Sequence, residues 1–191
     1  MTNNKKWIYK IKVPKKVIVL YNVKKNILTI IGPLKIKSLK LSFKLFIRNN
    51  FIKINSVFCL KVISKNIIKK IYESQGTLLA LIKQTIVETL YDYYHKLKIV
   101  GVGYWVLNID HFNNQLLFLK IGLSHSLYYR IPNELKFFCL KRTKLFIFGN
   151  SYNLVTNTAA NLRLKKKPDP YKGKGLLYFD EKIVLKKGKK I

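Results

Sequence analysis

The residues best suited to chemistry lie near the C-terminus, where lysines alternate with prolines and glycines. Residues 163–175 read RLKKKPDPYKGKG, and residues 163–191 hold 11 basic and 3 acidic residues. Two prolines one residue apart favour an extended backbone that is cheaply ordered. The alternation of Lys and Gly lets a backbone approach phosphates while ammonium groups reach either side, and Tyr171 can stack on a base or ribose. The pattern predicts contact with a phosphate ribbon; an unstructured basic tail is the alternative here and the favoured interpretation for residues 186–191.

Other motifs that could bind a cofactor or carry catalysis are weak. Gly101 and Gly103 are followed by Val106 at the third glycine position of a dinucleotide fingerprint, and residues 173–175 lack the spacing of a P-loop. The histidines share no ligand spacing with one another or with a carboxylate pair. The sequence therefore predicts no enzyme, no cofactor and no metal site.

The net charge indicates the class of partner. The chain has 191 residues, and 38 Lys and Arg against 8 Asp and Glu give a formal net charge of +30. Such charge repels itself in a compact state and attracts polyanions, which argues against a free enzyme of small metabolites. Because 49% of the residues are hydrophobic, a wholly disordered basic chain is also excluded. The first acid is Glu73, so the 18 basic residues before it are uncompensated.

Cysteine usage, the absence of targeting patterns and a bias in amino-acid composition point to a compartment. Cys59 and Cys139 lie in apolar runs, which predicts two small buried hydrophobes in a reducing compartment, with neither a disulfide nor zinc. The N-terminus shows no secretory or transit-peptide pattern, and each apolar run is shorter than the roughly 20 residues of a membrane span. Only four of the 38 basic residues are Arg, which indicates an AT-rich gene of an organelle or a small bacterial genome.

The elements that must position the C-terminal stretch are short strands followed by helices. Apolar runs bounded by Gly, Pro and Asn predict strands at residues 17–23, 27–31, 39–46, 51–54, 97–106, 115–121, 135–140 and 144–148. Helical periodicity begins at Thr77, a possible N-cap, and continues to Leu97. A second helix begins near residues 150–151 and must end before Pro168. Its predicted apolar face consists of Leu154, Val155, Thr158, Ala159 and Leu162.

An internal repeat links the two groups of strands. Val13-Pro14 leads through a hairpin to Gly32, and Ile131-Pro132 leads to Gly149, the glycines falling 18 and 17 residues after their prolines. The repeat favours an α+β fold of two duplicated small domains, each an antiparallel β-sheet packed against one helix, with a basic C-terminal extension. The predicted bounds are residues 1–97, residues 98–175 with the phosphate-contacting motif, and a basic tail at 176–191.

Five short motifs occur in an order and spacing typical of one protein family. They are VGVGY at 100–104, IGLSH at 121–125, IP at 131–132, AANLR at 159–163 and PDPYKGKG at 168–175. Tyr178 and Glu181 follow them, and the first half matches less sharply at Val13-Pro14, residues 27–32 and Gly76-Thr77. With these motifs the chain resembles the bacterial-type large-subunit ribosomal protein six family over nearly its whole length.

The resemblance implies two duplicated α+β domains without catalytic activity. It implies binding to large-subunit rRNA near the base of the factor-binding stalk, beside the sarcin–ricin loop. Neighbouring large-subunit proteins are expected as partners and translation factors nearby, with no homo-oligomer and no membrane span. The residues that it assigns to rRNA contact are Arg163, Lys165, Lys166, Lys167, Pro168, Tyr171, Lys172, Gly173, Lys174 and Gly175, with Ser124 and His125 in a second rRNA-facing turn.

Departures from the family pattern bear on the compartment. Trp105 stands where the family commonly has Arg, Ser126 where it has Pro, and residues 151–153 replace the usual Asp-Lys-Gln at the start of the last helix. Together with the AT-rich bias, this divergence favours a mitochondrial ribosome, with a plastid or a bacterial cytoplasm as the alternative.

Two other classes of function remain open from the sequence. A general nucleic-acid binder, such as a nucleoid protein, would explain the charge but not the Pro and Gly punctuation. An rRNA-modifying enzyme would need a cofactor pocket or a catalytic acid or base, which the sequence does not supply.

Overall fold

Two separate hydrophobic cores divide the chain. In the computed structural model, Met1–Tyr91 (unit 1) and Asp92–Ile191 (unit 2) form separate compact units. The structure describes residues 10–48, 50–54, 65–109 and 115–188.

Unit 1 combines short strands with one long helix in its described residues. The strands are β1 (Lys10–Lys12), β2 (Ile18–Asn22), β3 (Ile27–Ile31), β4 (Ile36–Lys40), β5 (Leu45–Arg48) and β6 (Phe51–Ile54), and the helix is α1 (Lys65–Leu90). They form two antiparallel three-stranded sheets with the orders β1-β6-β5 and β2-β3-β4.

The core of unit 1 follows from alternation in the strands and a helical period in α1. Leu28 and Ile30 point inward from β3 and are fully buried, as is Ile82 of α1. Near the end of α1, the buried Glu88 pairs with Lys37 of β4, so the charge that α1 brings into the core is neutralised.

Unit 2 repeats this architecture with longer strands. Its strands are β7 (Tyr93–Val100), β8 (Trp105–Ile109), β9 (Leu116–Lys120), β10 (Leu127–Arg130), β11 (Leu135–Lys141), β12 (Lys144–Gly149) and β13 (Gly175–Tyr178), and its helix is α2 (Tyr152–Lys165). The described strands form antiparallel sheets with the orders β10-β9-β8 and β11-β12-β7-β13. The helix packs on the β11-β12-β7-β13 sheet and buries Val155, Ala159 and Leu162, on the face that the sequence predicts.

The internal repeat corresponds to a repeated set of contacts. The N–H three residues after each proline donates to the proline carbonyl, from Val17 to Pro14 at 3.1 Å and from Leu135 to Pro132 at 2.9 Å. The predicted α+β fold with two duplicated sheet-and-helix domains is confirmed, and each unit divides its strands between two small sheets.

The glycine that closes each repeat lies against the helix of its own unit. A Cβ added at Gly32 would lie 2.5 Å from Thr89 Cβ of α1, and one added at Gly149 would collide with Leu135 Cδ2 of β11 and lie 2.9 Å from Val155 Cγ2 of α2. A glycine is therefore required at both positions so that the helix can approach the hairpin.

The predicted bounds of the first helix were wrong. Helix α1 is present from Lys65, so Thr77 lies inside it instead of capping it, and the helix ends at Leu90. Tyr93 and Leu97, predicted as its last turn, belong to β7. A spacing of four residues fits one face of a helix and also one face of a strand, so periodicity alone did not separate the two.

Two predicted strands are each interrupted by a turn. The stretch 39–46 covers the end of β4 and the start of β5, and the stretch 97–106 contains the turn at 101–104 between β7 and β8. Strands β1, β10 and β13 were not predicted, because each has only three or four residues, too few for an alternating pattern to be recognised.

One cysteine can be described. Cys139 is half-buried, its thiol donates to Asn108 Oδ1 at 3.4 Å, and burial raises its pKa to about 11. Cys59 lies outside the described residues. Among the described residues, no helix is long and apolar enough to cross a membrane.

Candidate RNA interface

Residues 166–174, which we call the basic loop, connect α2 to β13 as a closed turn. The N–H of Asp169 donates to the carbonyl of Lys174 at 2.9 Å, and the N–H of Gly173 donates to the carbonyl of Asp169 at 2.8 Å. The N–H of Lys186 donates to the carbonyl of Pro170 at 2.9 Å, which attaches the following segment to the loop. The C-terminal motif is thus held by backbone bonds within the molecule.

The Asp169 carboxylate organises the tip of the basic loop. Oδ1 accepts the N–H of Tyr171 at 3.0 Å, and Oδ2 accepts the N–H of Lys172 at 3.3 Å. An extended backbone was predicted across Pro168 and Pro170, but residues 170–172 turn. The carboxylate favours the turn because it satisfies two donors that an extended chain would leave to water.

Two of the four lysines of the basic loop are exposed to solvent and two are partly exposed, Lys166 among them. Lys167 and Lys172 are exposed, Lys174 is half-exposed, and the ring of Tyr171 is 56% exposed. Lys165, at the end of α2, is exposed as well. These side chains can reach phosphates and a base or ribose without rearrangement of the loop.

Gly173 and Gly175 of the motif are each required for a different structural reason. Gly173 has a φ of +69°, in the left-handed region, and a Cβ added there would lie 3.4 Å from Leu185 Cδ2. Gly175 is buried, and an added Cβ would lie 2.7 Å from Pro168 Cα. The turn explains Gly173, and close packing of the two ends of the loop explains Gly175.

Arg163, predicted as an rRNA contact, is engaged within unit 2. Its Nε donates to Glu181 Oε2 at 2.9 Å, its Nη2 also donates to Glu181, and its guanidinium lies 5.5 Å from the centre of the Tyr178 ring. The N–H of Tyr178 donates to Glu181 Oε2 at 3.1 Å. The bonds from Arg163 lower the pKa of Glu181 and raise that of the guanidinium.

Because of these bonds, Arg163 connects the end of α2 to the segment after β13. It therefore fixes the frame on which the basic loop is mounted. Its side chain is 27% exposed, which leaves part of the guanidinium accessible to solvent.

The predicted second turn packs against the turn between β7 and β8. The ring of Tyr104 fills the space beside Gly101 and Gly122, so that a Cβ at either glycine would collide with it. At the tip of the second turn, Ser124 and His125 are both exposed, and Ser124 Oγ lies 3.5 Å from His125 Nδ1. Tyr104 thereby joins the two glycine turns into one surface.

Strand register brings these turns beside the basic loop. Gly175, directly after the basic loop, pairs with Val100, directly before the turn at 101–104. Lys144 pairs with Lys98, which places the tip of the β11–β12 hairpin at the same end of β7. We call the four segments at this end the loop edge: residues 101–104, 121–125, 141–144 and 166–174.

Sequence analysis missed part of the loop edge. The guanidinium of Arg142, at the hairpin tip, lies 5.9 Å from the centre of the Trp105 ring, and the ring of Phe118 also lies beside Trp105, with ring centres 4.7 Å apart. Lys144 follows on the same tip and is exposed. The retention of Arg142 in a chain with only four arginines was the signal that could have identified this position.

Several known proteins are similar to the chain. Residues 100–179 match the model of the family described as ribosomal protein L6. The large ribosomal subunit protein uL6 of Mycoplasma genitalium is 38% identical over 164 residues, 86% of this chain and 85% of that protein. Two proteins named uL6m are also similar: that of Prototheca wickerhamii is 33% identical over 94% of each chain, and that of Reclinomonas americana is 40% identical over 62% of each.

Proposed function

Because this chain belongs to the ribosomal protein L6 family, as a structural protein of the large ribosomal subunit, we propose that the loop edge of unit 2 binds large-subunit rRNA. The observation that carries this proposal is the basic loop, in which internal hydrogen bonds hold Lys167, Tyr171 and Lys172 exposed. The proposed place is the factor-binding region, at the base of the stalk and beside the sarcin–ricin loop, with neighbouring large-subunit proteins as further partners.

The proposed recognition combines backbone contacts with one stacking contact. The ammonium groups of Lys165, Lys167, Lys172 and Lys174 neutralise phosphates and release counterions, which contributes affinity without reading sequence. The exposed ring of Tyr171 stacks on a base or ribose, which requires an unpaired nucleotide beside the phosphates. The L6 family is structural and non-enzymatic, so the proposed role is binding.

Two observations support a mitochondrial ribosome as the compartment. The similarity to two uL6m proteins is one, and the AT-rich composition is the other. Cell fractionation tests this part of the proposal. Recovery of the chain with mitochondrial large subunits is expected, and recovery with cytosolic ribosomes or plastids would contradict it.

Salt-dependent binding tests the proposed interface. If the loop edge neutralises about six phosphates, the log–log slope of affinity against salt for an rRNA fragment should be about −4 to −5. Changing both Lys172→Ala and Lys174→Ala should reduce this slope by about 1.4–1.8, since each contact contributes roughly 0.7–0.9. The fold should be unaffected, because neither side chain takes part in a core contact.

The matched control changes two exposed lysines on α1, with Lys69→Ala and Lys70→Ala. An equal loss of slope in the control would mean that charge alone drives binding, as expected for a nucleoid-like protein. Binding to a duplex DNA of the same length with equal affinity would also favour that alternative.

A further inference from the structure

The outer face of the β1-β6-β5 sheet in unit 1 combines cations with aromatic rings. Lys53 of the central strand β6 pairs with Lys10 of β1 and with Phe46 of β5. Directly opposed residues of antiparallel strands point to the same face of the sheet, so these three side chains form one row. Two residues along each strand, a second row on the same face consists of Lys12, Phe51 and Arg48. We call the six residues of these rows the basic sheet face: Lys10, Lys12, Phe46, Arg48, Phe51 and Lys53.

The opposite side of this sheet faces the core of unit 1. Ile11 of β1 and Ile52 of β6 are 4% and 0% exposed and belong to the hydrophobic cluster. The basic sheet face is therefore on the solvent side by the alternation of the strands. Its four cations are exposed, and so is Phe46, whose ring is 60% exposed.

The two rings of the basic sheet face are placed as separate platforms. Phe46 and Phe51 are diagonal neighbours on β5 and β6, a relation that separates residues by about 7–8 Å. Phe51 is partly exposed, and the ammonium of Lys10 lies 3.7 Å from the centre of its ring, so this ring already holds a cation. The three strands contain no carboxylate that could neutralise the cations.

We infer that the basic sheet face is a second RNA-binding surface, which takes an unpaired segment of RNA. Phe46 and Phe51 each stack on one base, and the Lys10 ammonium moves from the Phe51 ring to a phosphate as the base arrives. Arg48 and Lys53 flank the rings and meet the phosphates on either side. This inference rests on the proposed function, since rRNA would be the polyanion beside unit 1.

The chemistry favours RNA over an acidic protein at this face. A carboxylate-rich peptide would engage the cations but would gain little from an exposed Phe46, whereas a base can cover the ring. A paired helix would also leave the rings unused, because its bases are already stacked. An unpaired strand uses both kinds of side chain.

The test measures binding of the full chain to a short oligouridylate and to an RNA duplex of the same length. The variant carries Phe46→Leu and Phe51→Leu, which keeps both positions apolar but removes the rings. Affinity for the oligouridylate should fall roughly 25-fold or more, since stacking on each of the two rings is worth at least about 5-fold, and affinity for the duplex should change less than twofold. A second variant, Lys10→Gln with Lys53→Gln, should reduce the salt slope on the oligouridylate by about 1.4.

Matched controls keep the test specific to this face. Phe138→Leu removes a ring that is 50% exposed on a sheet of unit 2, and Lys24→Gln with Lys25→Gln removes two exposed charges in the β2–β3 turn. Both should leave binding of the oligouridylate unchanged. Equal losses in variants and controls would overturn the inference, and so would an equal loss by the Phe variant for the duplex or for polyglutamate.

Assembled subunits separate this inference from the proposed function. Co-sedimentation of the chain with large subunits tests the proposed function, and ultraviolet crosslinking within those subunits tests the basic sheet face. Crosslinks of Phe46 or Phe51 to unpaired nucleotides are expected. Co-sedimentation with crosslinks only at the loop edge, or with protein crosslinks at Phe46, would overturn the inference and leave the proposed function intact.

Discussion

Replacement of Asp169 should weaken RNA binding, although it removes a negative charge from a basic loop. The carboxylate accepts the N–H groups of Tyr171 and Lys172 and so holds the tip of the basic loop in its turn. In Asp169→Ala both bonds are lost, and the cations must be ordered again when RNA binds. Asp169→Asn keeps one acceptor oxygen and should preserve one of the bonds.

The magnitude follows from two opposing contributions. Two hydrogen bonds at about 0.5–1.5 kcal/mol each stabilise the turn by about 1–3 kcal/mol. Removal of one charge some 8 Å from a phosphate in water gains at most about 0.5 kcal/mol, and salt screens that gain. A net loss of about 0.5–2.5 kcal/mol remains, so binding of Asp169→Ala should be roughly 2- to 70-fold weaker, with Asp169→Asn in between.

Binding of the rRNA fragment is measured at physiological salt. Loss of the two hydrogen bonds weakens binding, whereas removal of the negative charge strengthens it, so the direction of the change shows which contribution is larger. The control Asp180→Asn removes the same charge from an exposed turn nearby and should leave binding equal or slightly tighter. Thermal unfolding should be similar for all variants, because Asp169 takes no part in the core. If Asp169→Ala binds as tightly as the wild type, or more tightly, the loop acts through charge alone and the positional argument is wrong.

Two further predictions concern the frame that carries the basic loop. Gly175→Ala places a Cβ 2.7 Å from Pro168 Cα and should lower the free energy of unfolding of unit 2 by about 1–3 kcal/mol, as measured in urea. The control Gly188→Ala, whose added Cβ has nothing within 4 Å, should not change it. Equal effects of the two changes would contradict the packing argument. Because its bond to Arg163 lowers the pKa of Glu181 below the ordinary 4.5, this pair stabilises the fold above that value and the contribution is lost as pH falls through the lowered pKa. Glu181→Gln should therefore be less stable at neutral pH and lose less stability on acidification, and parallel pH profiles of the unfolding midpoint would refute the role of this pair.

The fold was predictable where one periodicity dominated. Hairpin β11–β12 has mainly apolar runs on both sides of a short polar turn, and its predicted bounds differ from the observed ones by one residue at most. Helix α2 was found because its apolar face recurs every three or four residues and Pro168 limits its end. At β7 the signals conflicted, since Tyr93 and Leu97 satisfy the helical and the strand period alike.

The residue types of the candidate site could be predicted from the sequence, but their arrangement in space could not. Alternation of Lys and Gly indicated phosphate contact, and the exposed positions of Lys167 and Lys172 are those that such contact needs. The hydrogen bonds of the Asp169 carboxylate and the ion pair between Arg163 and Glu181 could not be predicted from the sequence. Both depend on which residues the closed turn brings together across the chain.

The duplication explains how two units with one framework can carry different surfaces. The contacts that the repeats share are backbone bonds at Pro14 and Pro132 and close approaches at Gly32 and Gly149, and none of them requires a particular exposed side chain. The surface of each unit is therefore free to change while the fold is kept. In unit 2 the basic loop lies beside the end of β7, whereas in unit 1 four exposed cations share a sheet face whose other side is core. A net charge of +30 is compatible with one stable framework because the framework depends on the backbone, and polyanions can meet the charge on both units.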